Sequence, residues 1–260
     1  MMRRRVLIYR DYGCADVSDL HAALGEFYAG RGIDVEMTDA SAVLKDNALN
    51  DEVLAFFMPG GAATPYRMKL GCLGNAKIRA YVENGGIYFG LCAGAYYASR
   101  RCRFEEDIPE LAIVDDYGLD LIDADAVGTL KKDFKINHYS PNPSSSTVTR
   151  VIWRDDGESH PVFYHGGPKF ELHNLQNHEI LASYAEVDGT PPAVVMRRFG
   201  RGLAVVSGVH FEDGVDSLKG FVGRTTEDLR QAEVLSRRMA EGEEGRRRLL
   251  CKLLSKLRER

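Results

Sequence analysis

The sequence has few cysteines, and they show no pairing pattern. The five are at positions 14, 72, 92, 102 and 251 and form no C-x-x-C pair. A disulfide framework needs an even, regularly spaced set, and structural zinc sites use closely spaced pairs. We therefore expect reduced thiols and a cytoplasmic location.

A large excess of one charge and a long apolar run are also missing. The formal net charge is -4, which gives no electrostatic reason to expect nucleic acid or an anionic membrane as a partner. The basic start, residues 1–5, precedes only the short apolar run 6–9. That run is too short for a signal-peptide core or a membrane span.

Motifs for common cofactors are absent as well. The sequence contains no G-x-G-x-x-G and no Walker loop, so no nucleotide cofactor is predicted. His160, His165, His173 and His178 lie at spacings that match no compact metal motif, and no cysteine accompanies them. The sequence therefore predicts neither a cofactor nor a metal.

The first hundred residues alternate between apolar runs and helical patterns. Strands are predicted at 6–9, 33–37, 53–58 and 87–89, and helices at 17–31, 75–84 and from Cys92 to about Arg100. This βαβ order predicts a mostly parallel sheet covered by helices on both faces. Ligands bind such sheets beyond the carboxyl ends of the strands.

The second half has a different pattern. The sequence leaves the secondary structure of residues 127–134 ambiguous and predicts a loop at 140–146. Strands at 147–153, 162–165, 180–187, 193–199 and 203–208 are separated by turn residues and indicate antiparallel hairpins. With no linker in between, we expect residues 1–260 to form a single α/β domain with an antiparallel extension.

The end of the chain, residues 225–260, is rich in Glu, Arg and Leu. Its leucines at 249, 250, 253, 254 and 257 form one apolar stripe. The pattern favours an amphipathic helix that packs on the domain. A homodimer interface and a helix on a membrane surface are the alternatives.

The strongest candidate site surrounds Cys92. Gly90-Leu91-Cys92-Ala93-Gly94 between a strand and a helix is the pattern of a nucleophile elbow. The positive end of the helix favours the thiolate, and the amide of Ala93 points toward a developing oxyanion. Gly60 and Gly61 end the neighbouring strand and are candidates for the second donor. The alternative is a small buried cysteine without chemistry.

A candidate base follows the strand predicted at 203–208. His210 and Glu212 are two residues apart, so in extended chain they project to the same side. Glu212 can then orient the imidazole of His210 while the other ring nitrogen faces Cys92.

These residues resemble a known group of proteins. Cys92, His210 and Glu212, together with the Pro59-Gly60-Gly61 turn, resemble the class I glutamine amidotransferase-like superfamily. Longer stretches resemble the N-terminal domain of eukaryotic biotin–protein ligases and its stand-alone bacterial relatives: 58–66 (MPGGAATPY), 80–86 (AYVENGG), 88–98 (YFGLCAGAYYA), 163–168 (FYHGGP) and 202–212 (GLAVVSGVHFE). The resemblance covers about residues 4–215.

The resemblance implies a flavodoxin-like three-layer α/β/α sandwich with a Cys92-His210-Glu212 triad. Glutaminase members carry Gln two residues after the second elbow glycine, and this chain has Tyr96 there. Tyr96 is expected either to pack under the elbow helix or to narrow the substrate pocket. Tyr12, His165 and Gly166 are further candidates for the pocket. No second catalytic domain of a biotin ligase is predicted.

Two functions from different classes follow. The first is a cysteine hydrolase or amidotransferase-like enzyme that acts on an amide-type small molecule. The second is a non-catalytic regulatory module that binds a metabolite or a protein in the same cleft. A redox-sensing cysteine is a third possibility. An open pocket beside Cys92 would favour the enzyme, whereas Tyr12 or Tyr96 over the sulfur would favour the module.

Overall fold

A computed structural model describes residues 4–220 and 225–257 of the chain. The strands are β1 (Arg4–Tyr9), β2 (Ile33–Thr38), β3 (Val53–Met58), β4 (Ile87–Leu91), β5 (Ser99–Phe104), β6 (Ile113–Asp115), β7 (Ile122–Gly128), β8 (Ser146–Trp153), β9 (Ser159–His165), β10 (Lys169–Leu172), β11 (His178–Tyr184), β12 (Pro192–Phe199) and β13 (Gly202–Ser207). The α-helices are α1 (Ser18–Tyr28), α2 (Ala40–Lys45), α3 (Ala63–Glu83), α4 (Ala93–Ala98), α5 (Lys131–Phe134) and α6 (Thr226–Lys256).

The main sheet has nine strands in the order β2-β1-β3-β4-β13-β12-β11-β8-β9. Its pairs from β2 to β13 are parallel, and those from β13 to β9 are antiparallel. The predicted α/β fold with a parallel sheet and an antiparallel extension is confirmed. Cys92 and His210 follow β4 and β13, which are neighbours where the two parts of the sheet meet.

Alternating side chains of the central strands build a core on each face of the sheet. Phe57 and Phe89 stack with ring centroids 5.1 Å apart on the face covered by α1 and α6. Phe56 and Tyr88 meet on the opposite face, which α2, α3 and α4 cover. These helix–sheet–helix layers are the three layers of a flavodoxin-like sandwich.

The predicted C-terminal helix forms α6 and packs on the domain. All five leucines of the predicted stripe are buried in the core shared with α1. Arg246 of the same helix donates from Nη1 to the carbonyl oxygens of Phe211 and Glu212, at 2.7 and 3.3 Å. Residues 258–260 of the predicted segment lie outside the described residues. Within the described part of the chain, none of the helices has the length and apolar character needed to cross a bilayer.

We expect Leu253→Ala in α6 to lower the free energy of unfolding by about 2–5 kcal/mol, because it leaves a cavity under a fully buried side chain. The control Leu229→Ala in the same helix removes a side chain that is 58% exposed, so it should change stability by less than about 0.5 kcal/mol. Urea unfolding measures both. Equal losses would contradict the observed packing of α6.

The structure revises two predicted helix boundaries and assigns one ambiguous stretch. The helix predicted at 75–84 begins at Ala63 and contains an interruption at Gly71, where φ is 55°. The elbow helix predicted to reach Arg100 ends at Ala98, and β5 starts at Ser99. The ambiguous stretch 127–134 contains the end of β7 and the short helix α5.

A second sheet of four strands, in the order β10-β7-β5-β6, was not predicted. Its central strand β5 is rich in arginine, which hides a strand pattern. Arg100 pairs with Asp123 of β7 at 3.1 Å, and Arg103 pairs with Glu171 of β10 at 3.1 Å. Such cross-strand ion pairs let charged side chains occupy the outer face of a sheet.

Candidate active site

Cys92 occupies a strained backbone position between β4 and α4. Its φ and ψ are 46° and -102°, which few non-glycine residues adopt. The amide of Cys92 donates to the carbonyl oxygen of Ser207 at 2.9 Å, and the amide of Gly94 donates to that of Pro59 at 3.1 Å. Backbone contacts with both neighbouring strands therefore hold the predicted elbow in place.

The elbow glycines are required by close backbone contacts. A Cβ atom on Gly94 would lie 2.1 Å from the carbonyl oxygen of Met58, and one on Gly90 would lie 2.5 Å from that of Gly94. Both distances are far below van der Waals contact. Glycine at position 90 lets the turn that carries Cys92 close on itself, and glycine at position 94 lets it pack against β3.

His210 and Glu212 form the contact predicted from their spacing. Nδ1 of His210 lies 2.8 Å from Oε1 of Glu212, and both side chains are buried. The amide of His210 donates to the carbonyl oxygen of Phe163 at 2.9 Å, which fixes the segment against β9. With Nδ1 directed at the carboxylate, Nε2 is the ring nitrogen available to the site.

The thiol of Cys92 and the imidazole of His210 converge on one carbonyl oxygen. Cys92 Sγ lies 3.5 Å and His210 Nε2 lies 3.4 Å from the carbonyl oxygen of His165. A Cβ atom on Gly60 would be 3.1 Å from Cε1 of His210 and 3.7 Å from Cβ of Cys92. The structure thus brings Cys92, His210 and Glu212 together, and glycine at position 60 leaves room for the imidazole.

Electrostatics at the site favour a charged imidazole. Burial alone lowers the pKa of His210, but the Glu212 carboxylate and the Cys92 sulfur raise it more strongly, so its pKa is well above the usual value. A protonated imidazole beside a thiol stabilises the thiolate. Because α4 has only six residues, the imidazolium of His210, rather than the helix dipole, is the main positive charge beside the thiol.

The candidate oxyanion donors lie around the thiol. Within residues 4–220 and 225–257, the backbone amides of Gly61 and Ala93 donate no hydrogen bond to protein. Both residues line a cavity that reaches Cys92. The carbonyl oxygen of Gly60 accepts from the Tyr66 hydroxyl at 2.7 Å, which holds the turn. Two unengaged amides near a nucleophile are the arrangement that stabilises a tetrahedral oxyanion.

Two cavities meet at Cys92. The smaller, about 140 Å³, extends toward Tyr96 and Phe104. The larger, about 620 Å³, opens on the side of His210. Gly61, Cys92 and Tyr139 line both cavities. The thiol is therefore reached from two sides, which suits a substrate with groups on either side of its reacting carbonyl.

The larger cavity is acidic. Asp16, Asp19 and Asp213 contribute to its wall. Burial and the nearby Glu212 raise the pKa of Asp213 to about 7. Within the described residues, His210, Glu212 and Asp213 are also the one group whose ligand atoms lie close enough together, within 4.8 Å, to hold a metal ion. Since Glu212 already engages His210 Nδ1, we assign these atoms to orienting the imidazole.

The four predicted pocket residues have different positions. Tyr96 and Gly166 line the small cavity, and the Tyr96 hydroxyl donates to the carbonyl oxygen of Gly166 at 3.0 Å. His165 lines the large cavity, and burial lowers the pKa of its ring to about 4. Tyr12 is 66% exposed and lines neither cavity, so the structure does not bring it to the site.

Sequence reasoning missed two residues that shape the site. Tyr139 forms a wall shared by both cavities, and its backbone amide donates to Oε1 of buried Glu105 at 2.8 Å. Glu105 also accepts from the Thr129 hydroxyl at 2.7 Å and pairs with Lys131. Neither residue belongs to a recognisable motif, so only the fold reveals that Tyr139 lines both cavities and that Glu105 holds its backbone.

The chain is similar to proteins of related architecture. Among solved structures, a glutamine amidotransferase from Thermotoga maritima matches with a TM-score of 0.59 at 15% identity, covering 99% of this chain and 97% of that one. A ThuA-like protein from Bacteroides uniformis matches with a TM-score of 0.50 at 15% identity, covering 90% and 91%. At these identities the likeness shows the fold, a glutamine amidotransferase-like α/β sandwich.

Sequence comparison gives the family. An uncharacterized protein of Chlamydia muridarum is 29% identical over 266 aligned positions, covering 100% of this chain and 98% of that protein. The biotin–protein ligase of Schizosaccharomyces pombe is 26% identical over 214 positions, which span 80% of this chain and 33% of the ligase. The family model described as "Biotin-protein ligase, N terminal" matches residues 4–259, so it extends beyond the predicted 4–215 and includes α6. The chain belongs to this biotin–protein ligase N-terminal domain family.

Proposed function

We propose that the protein is a cysteine-dependent acyl-transfer enzyme, a hydrolase or amidotransferase-like catalyst acting on an amide-type small molecule. The convergence of Cys92 Sγ and His210 Nε2 on the carbonyl oxygen of His165, with Glu212 behind the imidazole, carries the proposal. Elbow, base and orienting carboxylate are the parts that nucleophilic catalysis needs.

Each group has a role in this reaction. The thiolate of Cys92 attacks the carbonyl carbon, and the amides of Gly61 and Ala93 donate to the oxyanion. The imidazolium of His210 gives its proton to the leaving amine, and a C–S bond replaces the C–N bond. Water then adds to the thioester, Nε2 takes its proton, and the C–S bond breaks to restore the thiolate.

The alternative, a non-catalytic binding module, has less support. A tyrosine side chain that covers the Cys92 sulfur would favour this alternative. Tyr12 is exposed and lines neither cavity, and Tyr96 lines a cavity that still reaches Cys92. A cytoplasmic location remains part of the proposal and rests on the scattered, unpaired pattern of cysteines in the sequence.

Alkylation by iodoacetamide tests the proposal. An ordinary cysteine is about 3% thiolate at pH 7, so a thiolate held in an ion pair should react up to about 30-fold faster. Peptide mass spectrometry should show Cys92 modified before the exposed Cys72 and Cys251, which serve as internal references. Cys92→Ser should leave only the slow modification of the other thiols. If Cys92 reacts no faster than Cys72, the proposed nucleophile is wrong.

A further inference from the structure

The small cavity beside Cys92 has the dimensions of an acyl-binding pocket. It begins at Cys92 and Ala93, where the reacting carbonyl and its oxyanion would lie, and it encloses about 140 Å³. An engineered apolar cavity of about 150 Å³ holds benzene. The pocket therefore has room for a group of about six carbon atoms attached to the carbonyl.

The walls of this pocket are apolar. Ala62, Ala63, Phe104 and Ile113 present carbon atoms, and no charged side chain lines the pocket within the described chain. Burial raises the pKa of the Cys102 thiol, which also lines the pocket, to about 12, so that thiol stays neutral. An ion placed here would lose its hydration without gaining a partner of opposite charge.

The hydroxyls of two tyrosines in the pocket wall already have partners. The Tyr96 hydroxyl donates to the carbonyl oxygen of Gly166, and the Tyr117 hydroxyl shares a hydrogen bond of 3.1 Å with the Thr64 hydroxyl. Tyr96 therefore does not supply a free amide-like donor or acceptor at the position where glutaminases carry Gln. The ammonium and carboxylate of a glutamine substrate would find no counter-charge in this pocket.

We propose that the pocket selects an acyl group whose carbonyl carries an uncharged, apolar group of up to about six carbons, so that the substrate is the amide or ester of a short fatty or aromatic acid. This inference rests on the proposed acyl-transfer function and names its substrate class. Phe104, Ile113 and Tyr96 of the elbow helix are the large side chains of its wall that the acyl group would contact. The leaving group then lies in the larger acidic cavity.

Acylation by p-nitrophenyl esters tests the proposal without knowledge of the natural leaving group. The thiolate forms a C–S bond with the acyl carbon, the ester C–O bond breaks, and nitrophenol leaves with the proton from His210. Intact-protein mass spectrometry follows acyl-Cys92, and nitrophenol absorbance follows turnover. Cys92→Ser gives the background rate, and the spontaneous hydrolysis of each ester corrects for its intrinsic reactivity.

The ester series separates the effect of acyl-chain length from the effect of a charge on the chain. Butyrate and hexanoate should acylate Cys92 at least about tenfold faster than decanoate, because a ten-carbon chain exceeds the pocket. The hexanoate ester should also acylate Cys92 at least about tenfold faster than the 6-aminohexanoate ester and the adipate monoester. Both of these would place a charge in the apolar pocket. Equal rates for hexanoate and either charged ester, or for hexanoate and decanoate, would overturn the proposal.

A variant of the pocket wall provides a second test. Ile113→Ala should shift the preferred chain length upward by about three carbons, because it removes three carbon atoms from the wall. The adjacent Val114 is 47% exposed and does not line the pocket, so Val114→Ala should leave the profile unchanged. An unchanged profile in Ile113→Ala contradicts the assigned pocket.

Failure of the inference and failure of the proposed function look different. If Cys92 is acylated but the rates show no preference for length or charge, the acyl pocket is wrong and the nucleophile stands. If no ester acylates Cys92 above the Cys92→Ser background, the acyl-transfer function itself is wrong.

Discussion

Replacing His210 with glutamine is expected to slow the acylation of Cys92 by about 10³-fold or more. The imidazole supplies the positive charge beside the thiolate and the proton for the leaving group, and groups that act as a unit lose nearly all their effect when one is removed. Glutamine fills similar space beside Gly60 without either property. The rate with p-nitrophenyl butyrate at pH 7, followed by intact-protein mass spectrometry, measures the loss.

Glu212 provides the matched comparison. Glu212→Gln should slow the acylation of Cys92 less than His210→Gln does, because it removes the carboxylate but leaves the base in place. The double variant should be no slower than His210→Gln alone, since Glu212 acts through the imidazole. Circular dichroism and urea unfolding of each variant control for folding. A loss below about tenfold in His210→Gln, or additive losses in the double variant, would contradict the assigned roles.

Glu105→Ala is expected to lower the free energy of unfolding by about 3 kcal/mol or more. The side chain is buried, and its loss breaks the ion pair with Lys131 and removes the acceptors of the Thr129 hydroxyl and the Tyr139 amide. Buried groups left without partners account for most of such a loss. The neighbour Glu106 pairs with Arg103 near the surface, so Glu106→Ala should cost less than about 1 kcal/mol.

The pH dependence of stability provides a second test of the role of Glu105. Burial alone would raise the pKa of Glu105, but hydrogen bonds from Lys131, Tyr139 and Thr129 outweigh it and hold the pKa below the ordinary value. A lowered pKa stabilises the fold above the carboxyl's ordinary value of about 4.3, and this contribution is lost as the pH falls through the folded value. The stability difference between wild type and Glu105→Ala should therefore be largest near pH 6–7 and shrink in acid.

The residues nearest the chemistry were predictable because short sequence patterns determine them. The elbow requires glycine on both sides of Cys92, and the structure shows the backbone contacts that impose it. The two-residue spacing of His210 and Glu212 gave their hydrogen bond directly. The order of strands and helices predicted a mostly parallel sheet, and in the structure β4 lies beside β13 in that sheet.

The walls of the acyl pocket were not predictable in the same way. Phe104 and Ile113 belong to β5 and β6, in a sheet whose arginine-rich strand has no apolar alternation. Tyr139 lies in a loop, and the hydrogen bond to Glu105 and ring contacts with Phe104 and His165 hold it at the site. The prediction that Tyr12 lines the pocket was wrong, because its side chain is exposed to solvent and borders neither cavity.

The contact of Arg246 with the His210–Glu212 segment has a consequence for how the site is assembled. The nucleophile elbow needs only β3, β4 and β13, whereas the carbonyls of Phe211 and Glu212 are held by a guanidinium from α6. Synthesis proceeds from the amino end, so the residues of the elbow leave the ribosome before those of α6. A ribosome-bound intermediate therefore carries Cys92 before the helix that secures its base has emerged. Until α6 docks, the carbonyl oxygens of Phe211 and Glu212 lack this donor, and the bond between the His210 amide and the Phe163 carbonyl holds the segment that carries the imidazole.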